Sequence, residues 1–328
     1  MQFTKETRVW VDGCYDITHF GHANMLRQAK NLGTKLIVGV HSDEDIRRVK
    51  RPPVYSQNER VKMVKAIKWT DEVIESAPYK TSIQTLNDYN CDFAVHGDDK
   101  STDNGEDTYD LVKKAKRYVE VPRTAGISTT GLIKRILRRS TFDRNDSDDV
   151  VSQYTGMSPF LQTTRKIYEF TKDGCNYCPQ STDKIIYVAG TFDLFHVGHL
   201  DFLERAKSLG DYLIVGLHED DTCILTLSER VMNLLACKYV NEVVVNAPKK
   251  VTFDVMDHFN VHQVYHGRFF DSTGDYDPYE IPKKMGKFDR IDSRSDVTTE
   301  QIIQRIKRSD EEYRSTNKTK EENEMKYQ

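Results

Sequence analysis

The 328-residue chain lacks any apolar run close to the roughly 20 residues that a membrane-spanning helix needs. Its opening stretch, MQFTKETRVW, also lacks the apolar core of a secretion signal. The net charge is −3, so the basic excess that is typical of nucleic-acid-binding proteins is missing too. These absences predict a cytoplasmic protein with no transmembrane segment and no nucleic-acid partner. At most, we expect a peripheral association with a membrane surface.

Cysteine is scarce and scattered, with six residues in the whole chain. Only Cys175 and Cys178, in CNYC, have the spacing of a metal or redox pair. A structural zinc ion usually needs a second pair of ligands, and none lies nearby in the sequence. We therefore expect no metal site in the protein, and cysteines that are mostly buried, inert thiols.

What the chain does contain is an internal repeat. Matching segments recur in the same order: HFGH and HVGH (residues 19–22 and 196–199), LIVG twice (36–39 and 213–216), and NERV and SERV (58–61 and 228–231). The second copy is seven residues shorter between the last two segments. A repeat of this length predicts two domains that share one architecture.

Each copy alternates short apolar segments such as KLIVGV with helical patterns such as GHANMLRQAKNLG. This alternation predicts an α/β fold of two tandem Rossmann-like domains, each a parallel sheet with helices on both faces. We place the first domain at residues 1–140 and the second at 183–309. The polar, acidic stretch within 141–182 predicts a linker, and the charged residues 310–328 predict a disordered tail.

The HFGH segment follows a strand and opens a helix, where free backbone N–H groups favour anions. His19 and His22 are three residues apart and so share one helical face, and Gly21 lets a ligand approach the backbone. Packing or capping would explain one such histidine, but it explains two of them flanking a glycine less well. The segment therefore predicts a phosphate-binding site.

HxGH after a strand resembles the signature of the nucleotidyltransferase superfamily, which includes cytidylyltransferases and has a relative in class I aminoacyl-tRNA synthetases. RTAGISTT (123–130) resembles the RTxGIST motif of cytidylyltransferases, and a KMSKS-like synthetase loop is missing. The tandem arrangement, with IKWTDEVIESAPY and YNCDFAVHGDD in the first half, resembles the ethanolamine-phosphate cytidylyltransferase family over nearly the whole chain. The resemblance implies transfer of CMP from CTP to phosphoethanolamine, giving CDP-ethanolamine and pyrophosphate for phosphatidylethanolamine synthesis.

The resemblance also implies roles for residues of the first copy. His19 and His22 would contact the α-phosphate and the departing pyrophosphate. Lys50 would bridge the incoming phosphate and CTP, and Arg123 would hold the β- and γ-phosphates. Four arginines near Lys50 are alternatives for its role: Arg47, Arg48, Arg51 and Arg60. The other expected CTP-binding residues are Gly13, Cys14, Tyr15, Gly21, His96, Asp98, Thr124, Gly126, Ile127, Ser128, Thr129 and Thr130. Mg²⁺ is expected to accompany CTP, with no organic cofactor.

The second copy keeps HVGH but loses other elements. The loop after His218 has no lysine, and DSRSDV (292–297) stands where the first copy has RTAGIS. We therefore expect no transfer there. Two interpretations stay open: a second nucleotide site, or a scaffold for the first domain. The candidate residues of such a second site are Thr191, Phe192, His196, Gly198, His199, His266, Thr298 and Thr299.

Two other functions remain as alternatives. One is a phosphocholine cytidylyltransferase, which a comparison of the two phosphoamines as substrates would separate. The other is a non-catalytic nucleotide sensor built on the duplicated fold, although a sensor has little need of Lys50, Arg123 and two histidines together. A homodimer is compatible with the sequence.

Overall fold

The computed structural model describes residues 6–140, 159–172, 178–268, 276–308 and 310. The chain divides into two compact units, the first comprising Met1–Asp149 and Glu300–Gln328 and the second Val150–Thr299. The last described helix therefore groups with the first unit, although its sequence belongs to the second repeat.

The first unit is built on a sheet of five parallel strands: β1 (Arg8–Gly13), β2 (Lys35–His41), β3 (Glu72–Ala77), β4 (Phe93–Gly97) and β7 (Tyr118–Val121). Their spatial order is β3-β2-β1-β4-β7. Between β4 and β7 the chain forms a separate small antiparallel hairpin of β5 (Thr102–Asp103) and β6 (Glu106–Asp107). Among the described residues, five helices lie between the strands of the sheet: α1 (Phe20–Lys30), α2 (Asp43–Val49), α3 (Gln57–Lys65), α4 (Ile83–Asp88) and α5 (Asp110–Lys114). Helix α6 (Thr129–Ser140) follows β7.

The second unit repeats this sheet with β8 (Ile185–Gly190), β9 (Tyr212–Leu217), β10 (Glu242–Val245), β11 (Gln263–Gly267) and β12 (Phe288–Ile291). The spatial order, β10-β9-β8-β11-β12, matches that of the first sheet. The helices that follow α6 along the chain are α7 (Pro159–Lys172), α8 (Val197–Lys207), α9 (Leu227–Ala236), α10 (Phe253–His258), α11 (Glu280–Lys284) and α12 (Thr299–Arg308). The predicted pair of parallel α/β domains is confirmed.

Helix α7 lies inside the stretch that the sequence assigned to a linker. Its Phe170 is fully buried, and the helix packs against α9 of the second unit. Ile167 and Phe170 are three residues apart, a helical spacing that the polar composition around them concealed. The rest of the 141–182 stretch is only partly within the described residues, and Cys175 and nearly all of the predicted tail fall outside them.

Both sheets are apolar on their two faces, as parallel sheets covered by helices must be. Val9, Trp10 and Val11 of β1 are fully buried. Strand β1 pairs with β2 on one side and β4 on the other, so the connections leave its carboxyl end in opposite directions. Ligands of open α/β sheets bind in the crevice that forms at this point. Within the described part of the chain, no helix is long and apolar enough to cross a membrane.

Candidate active site

The HFGH turn lies at the carboxyl end of β1, and His19 is the N-cap of α1. His19 Nδ1 accepts a hydrogen bond from the Gly21 amide at 3.1 Å, and His22 Nδ1 accepts a longer one from the His19 amide at 3.4 Å. A neutral imidazole that accepts at Nδ1 carries its proton on Nε2. Both rings are therefore set to donate from Nε2, and His19 Nε2 has no partner within the described chain.

Both imidazoles are neutral at pH 7. Burial lowers the pKa of His19 well below its usual value, and the neighbouring His22 and Arg123 lower it further. Burial, followed by the charges of Arg123 and Lys50, lowers the pKa of His22 to about 4. A bound phosphate would therefore meet two neutral N–H donors, with two cations close enough to be felt by His22.

The turn before HFGH is strained. Tyr15 and Ile17 have φ values of 53° and 45°, in the left-handed region that non-glycine residues avoid. Buried Asp16 holds this turn, because its carboxylate accepts hydrogen bonds from the amides of Val54 at 3.0 Å and Tyr55 at 2.9 Å. Strain of this kind persists where surrounding contacts enforce it, and it is concentrated at functional sites.

Of the basic residues near Lys50, three arginines are committed to other contacts. Arg60 is fully buried and donates to the carbonyl oxygens of Cys14 at 2.7 Å and His41 at 2.8 Å, which ties the ends of β1 and β2 together. The others form ion pairs: Arg48 with Asp103 and Asp45, and Arg51 with Asp16.

Lys50 also reaches the end of β1, where its ammonium lies beside the Cys14 side chain. Its Nζ lies 3.7 Å from Cys14 Sγ, on the turn that leads to HFGH. The neighbouring Cys14 raises the pKa of the Lys50 ammonium, so Lys50 carries its full charge at pH 7. Gly13, before Cys14, lets the Tyr15 ring approach, since an added Cβ would be 3.3 Å from that ring. Tyr15 in turn makes an edge contact with His22, with ring centroids 5.6 Å apart.

The hydroxyls of RTAGISTT have distinct contacts. Ser128 Oγ accepts from the Gly131 amide at 3.0 Å and so caps α6. Thr129 Oγ1 donates to the Asp16 carbonyl at 2.9 Å, which fastens the start of α6 to the HFGH turn. Thr130 lies in the first turn of α6 and is partly exposed. The start of α6, another favourable place for anions, is thereby placed beside the start of α1.

The first half of RTAGISTT packs on α1. Ile127 is buried against Gly21, where an added Cβ would come within 2.8 Å of its Cγ2 atom. Gly126 has a φ of +80°, a value that a residue with a side chain rarely adopts. Thr124 Oγ1 accepts from Asn24 Nδ2 of α1 at 2.8 Å. These contacts explain why the motif needs its glycine and isoleucine, which helix capping alone does not require.

Arg123 is positioned from the end of β4. Its amide donates to Asp98 Oδ1 at 3.0 Å, and its guanidinium lies 3.8 Å from Asp99. Its side chain is 46% exposed, which leaves it available to a ligand. Asp98 thus holds the Arg123 backbone, while His96 Nδ1 lies 3.0 Å from the Gly97 carbonyl.

The structure adds one residue that the sequence analysis missed, Asp12 at the end of β1. Asp12 is 3% exposed and accepts hydrogen bonds from Tyr109 Oη at 2.6 Å and Thr81 Oγ1 at 2.8 Å. The nearest cationic candidate, His41, lies 3.9 Å away, and burial lowers its pKa. A buried carboxylate with only neutral donors is costly unless a cation joins it.

The second repeat shows that the shared architecture does not require a carboxylate at the position of Asp12. In the repeat alignment Ala189 occupies the position of Asp12, and Val251 that of Thr81. Both replacements are buried in the second core. A comparison of the two repeats for polar residues that become apolar would have identified this pair in the sequence.

The second HxGH turn has the same backbone but different surroundings. His196 Nδ1 accepts from the Gly198 amide at 3.1 Å, as in the first copy, but His196 Nε2 lies 3.3 Å from Thr299 Oγ1. The Val297 carbonyl covers Gly198, where an added Cβ would be 2.1 Å away. One imidazole donor is therefore engaged by the protein itself.

The other candidates for a second site also have roles in the fold. Phe192 repeats the left-handed φ at 49°, and the Thr191 carbonyl accepts from buried Arg230 at 2.8 Å. His266 Nδ1 lies 3.0 Å from the Gly267 carbonyl. Burial lowers the pKa of His199 well below its usual value. Thr298 directly precedes α12.

The fold and the HxGH site at its switch point define a tandem nucleotidyltransferase. The family described as Cytidylyltransferase-like matches residues 10–135 and 187–321. The chain is 44% identical to the ethanolamine-phosphate cytidylyltransferase of Mus musculus, over 98% of this chain and 90% of that protein. It is 42% identical to that of Dictyostelium discoideum, over 98% and 97%. The chain belongs to the ethanolamine-phosphate cytidylyltransferase family.

A choline-phosphate relative matches over a smaller part of the chain. Choline-phosphate cytidylyltransferase A of Rattus norvegicus is 40% identical, but over 41% of this chain and 37% of that protein. The tandem organisation is therefore shared with the ethanolamine-phosphate relatives named above, along nearly their whole length.

Proposed function

We propose that the protein transfers the cytidylyl group of CTP to phosphoethanolamine, giving CDP-ethanolamine and pyrophosphate. The observation that carries this proposal is the set of phosphate-binding groups around the start of α1. Two neutral imidazole donors lie there, and the charges of Lys50 and Arg123 act on His22. That combination suits a substrate with several phosphates. A nucleotide sensor that catalyses no transfer does not require all four of these groups.

In the proposed reaction, a phosphate oxygen of phosphoethanolamine attacks the α-phosphorus of CTP. A new P–O bond forms as the bond from the α-phosphorus to the α,β-bridging oxygen breaks, and pyrophosphate leaves with that electron pair. The nucleophile is already anionic at pH 7, so a strong general base is unnecessary. Catalysis then consists of positioning and relief of repulsion between phosphates.

Each residue has a role that follows from its position at the site. His19 and His22 donate Nε2–H bonds to the α-phosphate and the leaving pyrophosphate. Lys50, fixed beside Cys14, neutralises the incoming phosphate and the α-phosphate as they approach. Arg123, held by Asp98, takes the β- and γ-phosphates.

We expect Mg²⁺ to enter as part of the CTP substrate, bound mainly by triphosphate oxygens and water. Within residues 6–140, 159–172, 178–268, 276–308 and 310, no three or more His, Cys, Asp or Glu side chains are grouped to hold a metal ion. The side chains named above would then bind the magnesium–CTP complex through its oxygen atoms.

Asp12 supplies the selectivity for ethanolamine in this proposal. A primary ammonium carries three N–H donors and a full positive charge, which the buried Asp12 carboxylate can accept. The Tyr109 ring beside it adds an aromatic surface for the cation. A quaternary ammonium has no N–H to donate and is larger, so phosphocholine should fit less well.

The second repeat has no transfer role in this proposal. It lacks counterparts of Lys50, Arg123 and Asp12, and its His196 is engaged by Thr299. It acts instead as a scaffold whose HxGH turn keeps its structural contacts.

The direct test is pyrophosphate release from CTP by the full chain with Mg²⁺. Release should require phosphoethanolamine and should be at least about tenfold slower with equal phosphocholine. Equal rates would show that the site does not select the amine, and a faster rate with phosphocholine would favour the alternative substrate. CTP binding without any release would favour the nucleotide sensor.

A further inference from the structure

The loop that carries Lys50 is held at two separate places. Residues 50–56, here called the lysine loop, connect α2 to α3. On one side, the amides of Val54 and Tyr55 donate to Asp16, which belongs to the turn before HFGH. This contact couples the position of the loop to the histidines.

The second hold comes from the carboxyl-terminal end of the chain. Arg305 of α12 donates to the Val54 carbonyl at 3.2 Å. The same guanidinium forms a two-pronged pair with Glu59, at 2.9 Å and 3.0 Å. Residues from 300 onward group with the first unit, although α12 belongs to the second repeat in sequence.

Glu59 connects Arg305 to the end of the lysine loop. Its carboxylate accepts from the Ser56 amide at 2.7 Å and from Ser56 Oγ at 3.0 Å, which caps α3. One arginine therefore contacts the loop at Val54 and, through Glu59, at Ser56. The lysine loop cannot shift relative to α3 without breaking one of these contacts.

This ion pair differs from an ordinary surface pair. The side chains are 36% and 14% exposed, and the geometry is bidentate, which restricts orientation more than a single contact does. Burial acts to raise the pKa of Glu59, but hydrogen bonds from Arg305 and Ser56 outweigh it and leave the pKa below its usual value. Glu59 is thus ionised and paired at neutral pH.

We propose that Arg305 is a positioning residue that fixes the lysine loop and so places Lys50 for cytidylyl transfer. This inference rests on the proposed function and gives the last helix of the second repeat a part in the first active site. Arg305 touches no substrate. It acts through Val54 and Glu59 on the loop.

The test is a double-mutant cycle on the full chain that joins Arg305→Gln with Lys50→Gln. Arg305→Gln should lower kcat about tenfold or more while changing the KM for CTP far less. Arg308→Gln, an exposed cation lost from the same helix, serves as the matched control and should keep wild-type kcat. In the Lys50→Gln background, the effect of Arg305→Gln should largely disappear, because both act through one ammonium group. Arg305→Lys, which can still reach one carboxylate oxygen, should recover part of the rate and covers the case in which Arg305→Gln does not fold.

A second readout does not depend on catalysis. Hydrogen–deuterium exchange of the Val54 and Tyr55 amides should be faster in Arg305→Gln than in wild type or Arg308→Gln. Unchanged exchange, wild-type kcat, or multiplicative effects of the two substitutions would overturn the inference. A wild-type chain that releases no pyrophosphate would instead refute the proposed reaction, and the exchange result would still decide whether Arg305 holds the loop.

Discussion

The imidazole rings of His19 and His22 stack with their centroids 3.9 Å apart, both accepting backbone hydrogen bonds at Nδ1. The rings of His196 and His199 in the second repeat stack at the same 3.9 Å. The difference lies in what faces the first ring of each pair. Thr299 lies against His196 Nε2, whereas His19 Nε2 has no such partner in the described chain. The two repeats thus share a histidine pair but differ in the donors that a phosphate would find.

Lys50 is expected to contribute strongly to the rate of cytidylyl transfer. Lys50→Gln removes the cation that neutralises the two reacting phosphates, so kcat should fall about 100-fold. Arg47→Gln removes an exposed cation from the same stretch and should leave kcat near wild type. Steady-state pyrophosphate release measures both variants. A larger loss from Arg47→Gln than from Lys50→Gln would show that the lysine assignment is wrong.

Asp12 is expected to govern binding of the amine rather than of CTP. Asp12→Asn keeps the size of the side chain but removes its charge, so the KM for phosphoethanolamine should rise about tenfold or more. The KM for CTP should change much less, because the nucleotide is bound by other groups. Varying each substrate in turn separates the two constants, and an equal rise in both would argue against an ammonium site at Asp12.

His22 should make the stability of the protein depend on pH below neutrality. Its pKa is about 4 in the folded protein, and about 6.5 is usual for an unfolded chain. The unfolded state therefore binds more protons between these values, so stability present above about pH 6.5 is lost as the pH falls toward 4.

His22→Gln keeps a side chain that suits the capping position and removes this titration. The free energy of unfolding of wild type should therefore fall more steeply between pH 6.5 and 4 than that of His22→Gln, by at most about 1.4 kcal/mol per pH unit. Urea titrations at several pH values measure the difference. Parallel pH dependences in the two proteins would contradict the assigned pKa.

The sequence predicted the architecture because its signals are local and repeated. The unbroken apolar run at Leu36–Val38 predicts a strand, and HFGH marks the start of a helix. The second copy repeats these signals in the same order. His19 and His22 could be chosen because their spacing places both on one helical face. The family resemblance added Lys50 and Arg123, which are separated from them in sequence.

Other parts of the site depend on contacts that no local pattern encodes. In the sequence, Asp12 is an ordinary aspartate at the end of a strand. Its hydrogen bond from Tyr109, 97 residues later, is visible only in the structure. Arg305 lies 246 residues from Glu59, and its helical periodicity gives no hint of that partner. Helix α7 was missed because its few apolar residues lie in a polar stretch. Long-range burial and pairing decide these features.

We propose that the first of the two HxGH sites alone performs the transfer, and paired double variants test this assignment most directly. His19→Ala/His22→Ala and His196→Ala/His199→Ala make the same chemical change in the two repeats. Pyrophosphate release from CTP and phosphoethanolamine should fall at least about 100-fold in the first variant. The second should stay within about threefold of wild type, provided that it remains folded at the assay temperature. Near-wild-type turnover in the first variant, or an equal loss in a folded second variant that no longer binds CTP, would contradict the account.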